Sequence, residues 1–310
     1  VNVVAAKRFA AVLLTVGAGA VVLGYAVGPL LLSTENQPPR LLVVASFYPL
    51  QEFIKRLVDP DVRVVTLIPA GVEPHDWEPR PGDAVLLTQA DLLLYVHPEF
   101  ETSVVTLLAA GDTLPPFVIV SDGLELKVVQ HEGEEEVDPH IWLDPVLAQH
   151  IVLQIRDGLI RVDPAMESAY RQRAHEVLSE LRNLHEEISI GLRDCRIRTF
   201  IASHAAFSYF SQRYDLTMEA ITTNPEAEPS PSRLEQLIDY ARALGITVIY
   251  KEPLVSGGPA EVIAEEIGGS TLTLDPVEVV ADWNLETGPN YFTLMLENLQ
   301  NLRTGLGCSG

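Results

Sequence analysis

Cysteine and positive charge are both scarce in this chain. Cys195 and Cys308 are its only cysteines, so no Cys-x-x-Cys pair exists to build a thiolate zinc site or a redox couple. In an exported protein the two are open to one disulfide closing a large C-terminal loop; a reducing compartment would keep them apart. Lys and Arg number 21 against 43 Asp and Glu, for a formal charge of −22 and a pI near 4.6. Nucleic-acid binding needs a basic face, so that class is excluded. Only Lys7, Lys55, Lys127 and Lys251 are lysines, a genomic composition bias with no chemistry attached. Also missing are His-Glu-x-x-His, Gly-x-Ser-x-Gly and the P-loop pattern, the marks of zincin proteases, serine hydrolases and NTPases. What is present is a foldable chain: 310 residues, 47% hydrophobic, enough for two compact lobes.

Residues 9–32 carry no charge and directly follow Lys7-Arg8. That length is sufficient to span a bilayer, which takes about 20 residues, and the basic pair would stay in the cytoplasm and send the remainder outward. We expect residues 1–33 to be a signal peptide or an N-terminal membrane anchor, with Ala18-Gly19-Ala20 and Gly24-Tyr25-Ala26 as cleavage candidates. Residues 34–40, with two prolines, form a short linker.

From residue 41 short apolar runs alternate with helical patterns. Strands are expected at 41–46, 62–68, 92–96 and 117–120, with helical pieces at 50–57 and 83–90. Asp163-Pro164 then reads as a helix N-cap with proline in the first turn. Behind it Met166, Tyr170, Ala174, Val177, Leu181, Leu184, Ile188 and Leu192 recur every three or four residues. Such a helix would be about 43 Å long at 1.5 Å per residue, long enough to brace two lobes. Strand patterns return at 198–202, 216–221, 247–250 and 271–274, with helices at 232–244, 259–267 and 291–302. Near-continuous apolar strands separated by helices indicate parallel sheets covered on both faces. The expected fold is α/β: two Rossmann-like lobes, each with a four-stranded, mainly parallel sheet, joined by one long rigid helix. The divisions are 41–163, 164–194 and 195–310.

The chemistry converges on Asp138-Pro139-His140-Ile141-Trp142-Leu143-Asp144-Pro145. Here one imidazole lies between two carboxylates. Neutral imidazole is a common metal ligand, and a nearby carboxylate accepts its second N–H and holds the ring. Three partners stand elsewhere: His75, His204 and Asp275, in steps of 65, 64 and 71 residues along the chain. Each follows a strand or a loop leaving one, and in open α/β sheets the carboxyl ends of strands line the ligand crevice. Three imidazoles and a carboxylate suit a divalent transition metal such as zinc, whereas calcium and magnesium prefer oxygen shells. Asp76, Asp138, Asp144, Trp77 and Trp142 are candidates to support these ligands, the carboxylates being equally suited to cap turns. His131, Glu132, Glu134, Glu135 and Glu136 make a short acidic loop before His140, able to gather cations loosely or simply solvated. His175 and His185, off the apolar face of the long helix, and His150 are expected at the surface. His97 precedes Pro98 at a strand end, a place open to the cleft as well as to the surface.

Several motifs together resemble the zinc/manganese substrate-binding proteins of ABC importers. They are Phe47-Tyr48-Pro49-Leu50, the Val72–Pro79 loop, Ala90-Asp91-Leu92, Asp138–Pro145, Ser203-His204-Ala205-Ala206-Phe207 and Leu274-Asp275-Pro276, with Tyr291-Phe292 and Asn298-Leu299 near the tail. The likeness runs from about residue 41 to 303 in order. It implies a metal held between two lobes by His75, His140, His204 and Asp275. It also implies delivery to a membrane permease and, through it, an ATPase. In that family His at the third ligand position goes more often with zinc and Glu with manganese, so His204 favours Zn2+ over the Mn2+ alternative. The expected protein is an extracytoplasmic, monomeric binding protein with no enzymatic activity. The competing reading is a zinc-dependent hydrolase, which usually keeps three protein ligands and an open position. An added adhesin or storage role stays open.

Overall fold

In the computed structural model the described residues are 39–111, 114–131, 134–223, 225, 227–253, 258–279 and 288–309. The signal or anchor expected at 1–33 lies outside them. Among the described residues no helix is long and apolar enough to cross a membrane.

The first sheet is built from β1 (Leu41–Ala45), β2 (Val62–Thr66), β3 (Leu92–Tyr95) and β4 (Phe117–Ile119) in the order β2-β1-β3-β4, all parallel. Every residue of β3 is buried and β1 nearly so, as a sheet sandwiched between helices requires. Its crossovers include α1 (Tyr48–Leu57), α2 (Pro81–Gln89) and α3 (Thr102–Ala110). Beyond β4 an antiparallel hairpin, β5 (Val128–His131) and β6 (Glu134–Val137), leads to α4 (Pro145–Val162). Neither α3 nor the hairpin was expected from the pattern, because one has no charged residue to mark its outer face and the other is rich in acidic residues.

The long helix α5 runs Glu167–Gly191, about 37 Å at 1.5 Å per residue, shorter than the sequence suggested. Its first turn is lost because Pro164–Met166 winds as a 3₁₀ turn and Asp163 does not cap it. That carboxylate instead accepts hydrogen bonds from the Tyr170 hydroxyl at 2.7 Å and from Arg40. The apolar stripe is as read: Tyr170, Ala174, Val177, Leu181, Leu184 and Ile188 are buried.

The second sheet comprises β7 (Thr199–Ala202), β8 (Thr217–Ala220), β9 (Val248–Lys251) and β10 (Ser270–Thr273), in the order β10-β9-β7-β8 and again parallel. With α6 (Ser208–Arg213), α7 (Pro231–Leu244), α8 (Gly258–Glu266) and α9 (Tyr291–Leu306) it completes the second lobe. Each sheet, counted in its own chain order, runs 2-1-3-4, so each has a switch point between its first and third strands. Helix α5 packs on α1 and α4 of the first lobe and on α9 of the second. Cys195 and Cys308 are joined in a disulfide, which ties the end of the chain to the start of the second lobe.

Candidate metal centre

Four side chains from four loops meet between the lobes. His75 sits in the 3₁₀ turn Pro74–Asp76, in the connection between β2 and α2; prolines at 74 and 79 restrict that loop. Its half-buried ring stands edge-on to Phe100 at 5.0 Å. His140 follows Asp138-Pro139 and is 4% exposed. His204 lies two residues past β7, at the switch point of the second sheet, and is 1% exposed. The carboxylate brought to them is that of Glu278, on the turn after β10 and 2% exposed. Ligand atoms of His75, His140, His204 and Glu278 all lie within 4.8 Å of one another. His140 Nε2 is 2.9 Å from Glu278 Oε1, His204 Nε2 is 3.8 Å from the same oxygen, and the two Nε2 atoms are 3.4 Å apart.

The sequence pointed to Asp275, three residues earlier in that turn, and Asp275 is not in this group. Its Oδ1 accepts the Val277 N–H at 2.7 Å, while its own backbone N–H is bound by Asn298 Oδ1 at 2.7 Å. The chain then passes through Val277 at φ 59°, a left-handed conformation that a β-branched residue rarely adopts. No sequence signal announces such a turn, so the choice between Asp275 and Glu278 was not readable.

The far nitrogens of two imidazoles are held by carboxylates. His140 Nδ1 is 2.7 Å from Asp138 Oδ1, and His204 Nδ1 is 2.7 Å from Glu252 Oε1. This arrangement turns each Nε2 lone pair toward the cluster. Glu252 was missed: it immediately follows β9 at the same switch point as His204, a neighbourhood set by the pairing of β7 with β9. Asp138 also receives the Ser208 hydroxyl, and its carbonyl accepts Tyr209 Oη–H at 2.9 Å, so this arm of the first lobe is tied to α6 of the second.

Burial alone would lower the pKa of His140, but the hydrogen bonds and charges of Asp138 and Glu278 overcome it and raise it to about 10. Burial would likewise push the Glu278 carboxyl up; His140, then His204 and His75, hold it down at about 2. The buried set thus favours a positive charge at its centre. A divalent ion taking the same lone pairs competes with protons for them.

Trp142 is fully buried against Phe47 and His140, with ring centroids at 5.0 and 5.2 Å, and shields the centre from water. Trp77 is buried and its carbonyl accepts the Ser103 hydroxyl at 3.1 Å. Asp144 serves elsewhere: it caps α4 through Val146 N and pairs with Arg213 at 2.8 Å. The side chain of Asp76, Glu132 as a whole, and the side chains of His131, Glu134 and Glu135 lie outside the described residues. Glu136 lines a cavity of about 350 Å³ with Glu99, Phe100, His75 and His140. His150 binds the Asp122 carbonyl at 2.9 Å and His175 is exposed. His185 is half-buried against the Tyr214 hydroxyl, not solvent-facing as expected, because Tyr214 packs over that flank of α5. His97 accepts the Glu99 N–H and is not part of the cluster.

Two α/β lobes with a buried site of three imidazoles and one carboxylate between them define a metal-binding protein of the two-lobed kind. Residues 43–305 match the family described as zinc-uptake complex component A, periplasmic, and the chain belongs to that family. It is 33% identical over 287 residues to the high-affinity zinc uptake system protein ZnuA of Bacillus subtilis, covering 88% of this chain and 90% of that one. Among solved structures it is similar to the metal-dependent lipoprotein YcdH of B. subtilis, with TM-score 0.76, 35% identity, and coverage of 86% of this chain and 100% of that one. It is also similar to Zn(II)-bound AdcA of Streptococcus pneumoniae, with TM-score 0.76 and 32% identity; the match covers 87% of this chain but 58% of that longer one.

Proposed function

We propose that this chain captures Zn2+ outside the cytoplasm and delivers it to the permease of an ABC importer. His75, His140, His204 and Glu278 are the proposed ligands. The observation that carries this reading is their convergence within 4.8 Å, three of the four buried, since it supplies four nitrogen and oxygen donors, the number a zinc site takes. A hydrolytic zinc keeps one position for water; four protein donors leave none, which favours binding over catalysis. The zinc named in its relatives and the third imidazole support zinc over manganese. The protein acts as a monomer, with residues 41–163 and 195–310 as lobes and 164–194 as the brace. Because α5 packs on helices of both lobes, release proceeds by small tilts and loop rearrangement, not by wide opening.

Competition calorimetry with zinc and manganese on the purified chain tests the proposal. Tighter binding of zinc, one ion per chain, is the expected result. Preference for manganese would overturn the zinc assignment, and hydrolysis of generic esters or peptides by the zinc-loaded chain would restore the enzyme reading.

A further inference from the structure

The turn from Asp275 to Glu278 is held by bonds that do not involve the metal donors. Asn298, on α9 and 2% exposed, uses both ends of its amide on one residue. Its Oδ1 accepts the Asp275 N–H at 2.7 Å and its Nδ2 donates to the Asp275 carbonyl at 2.6 Å. This two-point match fixes the orientation of the chain as it leaves β10. The Asp275 carboxylate folds back on its own turn and accepts the Val277 N–H at 2.7 Å. From the first lobe, Trp142 Nε1 donates to the Pro276 carbonyl at 2.8 Å, and Tyr291 Oη in turn donates to the Trp142 carbonyl at 2.7 Å. Every residue from 275 to 277 is therefore gripped. Val277, fully buried, is kept at φ 59°, a conformation that persists in a β-branched residue only where its surroundings over-determine it. The next side chain is Glu278.

We infer that Asn298, Asp275 and Trp142 are positioning residues for Glu278, shaping the turn so that its last carboxylate, not its first, meets the three imidazoles. None of them contacts the ion. Trp142 is two residues from His140, so the same indole links the His140 arm of one lobe to the Glu278 arm of the other. The inference rests on Glu278 being a ligand.

The test is a double-mutant cycle on the full chain, purified metal-free, with zinc affinity read by competition against a chromogenic chelator. Asn298→Ala weakens binding by about 10–100-fold, the usual effect of losing a group that orients a ligand. In a Glu278→Gln background the same substitution adds less than about twofold, because the charged donor it positions is already gone. Asn301→Ala is the control. Asn301 Nδ2 donates to the Thr273 carbonyl at 2.9 Å from the same helix, so its loss lowers thermal stability and leaves affinity unchanged. Asp275→Ala weakens zinc about tenfold and Asp275→Asn, which keeps the acceptor for Val277 N–H, restores it. That pair carries the test if Asn298→Ala fails to fold. Wild-type affinity in Asn298→Ala beside a weakened Glu278→Gln, or losses that multiply in the double variant, would overturn the inference alone. Wild-type affinity in Glu278→Gln would overturn it together with the ligand assignment.

Discussion

Replacing Glu278 by Gln and, separately, Asp275 by Asn asks which carboxylate of the turn meets the metal. Both substitutions remove a charge and keep the shape. The Glu278 side chain is fully buried with its Oε1 2.9 Å from His140 Nε2, whereas Asp275 Oδ1 is engaged by the Val277 N–H. Four-ligand zinc sites bind with about 10–16 kcal/mol at neutral pH, so an equal share per ligand is about 2.5–4 kcal/mol. At about 1.4 kcal/mol per tenfold, Glu278→Gln should weaken zinc roughly 10²–10³-fold, toward the lower end because an amide oxygen remains a weak donor. Asp275→Asn keeps its acceptor and should cost less than about threefold, under 0.7 kcal/mol by the same conversion. Competition titration against a chelator of known affinity reads both at one pH and salt. A larger loss in Asp275→Asn than in Glu278→Gln would show that the turn is misassigned and that Asp275 is the donor.

His140→Ala should lower zinc affinity by a comparable factor in the same titration, while His150→Ala should leave it unchanged, since His150 bonds the Asp122 carbonyl and Gln154 away from the cluster. Imidazoles coordinate only when neutral, so wild-type affinity should fall from pH 7.5 to pH 5; equal affinities at the two would contradict proton competition. Glu101 offers a stability test away from the metal. Burial pushes its carboxyl up to about 7 from 4.5, although Val96 and His97 N–H groups donate to it. The folded state then binds the proton more tightly than the unfolded one, and stability falls as pH rises from about 4.5 to 7, by about 3 kcal/mol over the window. Urea unfolding at pH 5 and 7.5 should show that drop shrinking in Glu101→Gln; an unchanged drop would assign it to other groups. Converting Cys195 and Cys308 to Ser should cost about 2–4 kcal/mol, visible as a lower urea midpoint with zinc affinity retained.

Which features were readable follows from where their causes lie along the chain. The strands were legible because burial on both faces writes itself as uninterrupted Val, Leu and Ile, as in Leu92–Tyr95. The brace was legible because Tyr170 to Ile188 repeat at three and four residues. His140 was legible because its partner, Asp138, is two residues away. By contrast the extent of α4 was less legible although Asp144 caps it and Pro145 opens it, since a carboxylate beside a histidine motif suits metal support as well as a cap. Glu252 depends on knowing that β9 and β7 are neighbours, a fact of topology that no local window contains. Glu278 is the limiting case. Its placement depends on an amide 20 residues downstream and an indole 136 residues upstream, and on a valine held where valine seldom goes. Local rules applied to Leu274-Asp275-Pro276 select the residue next to the proline. The long-range bonds select the one after the strained valine, and they act on the backbone, which the identity of neighbouring side chains does not report.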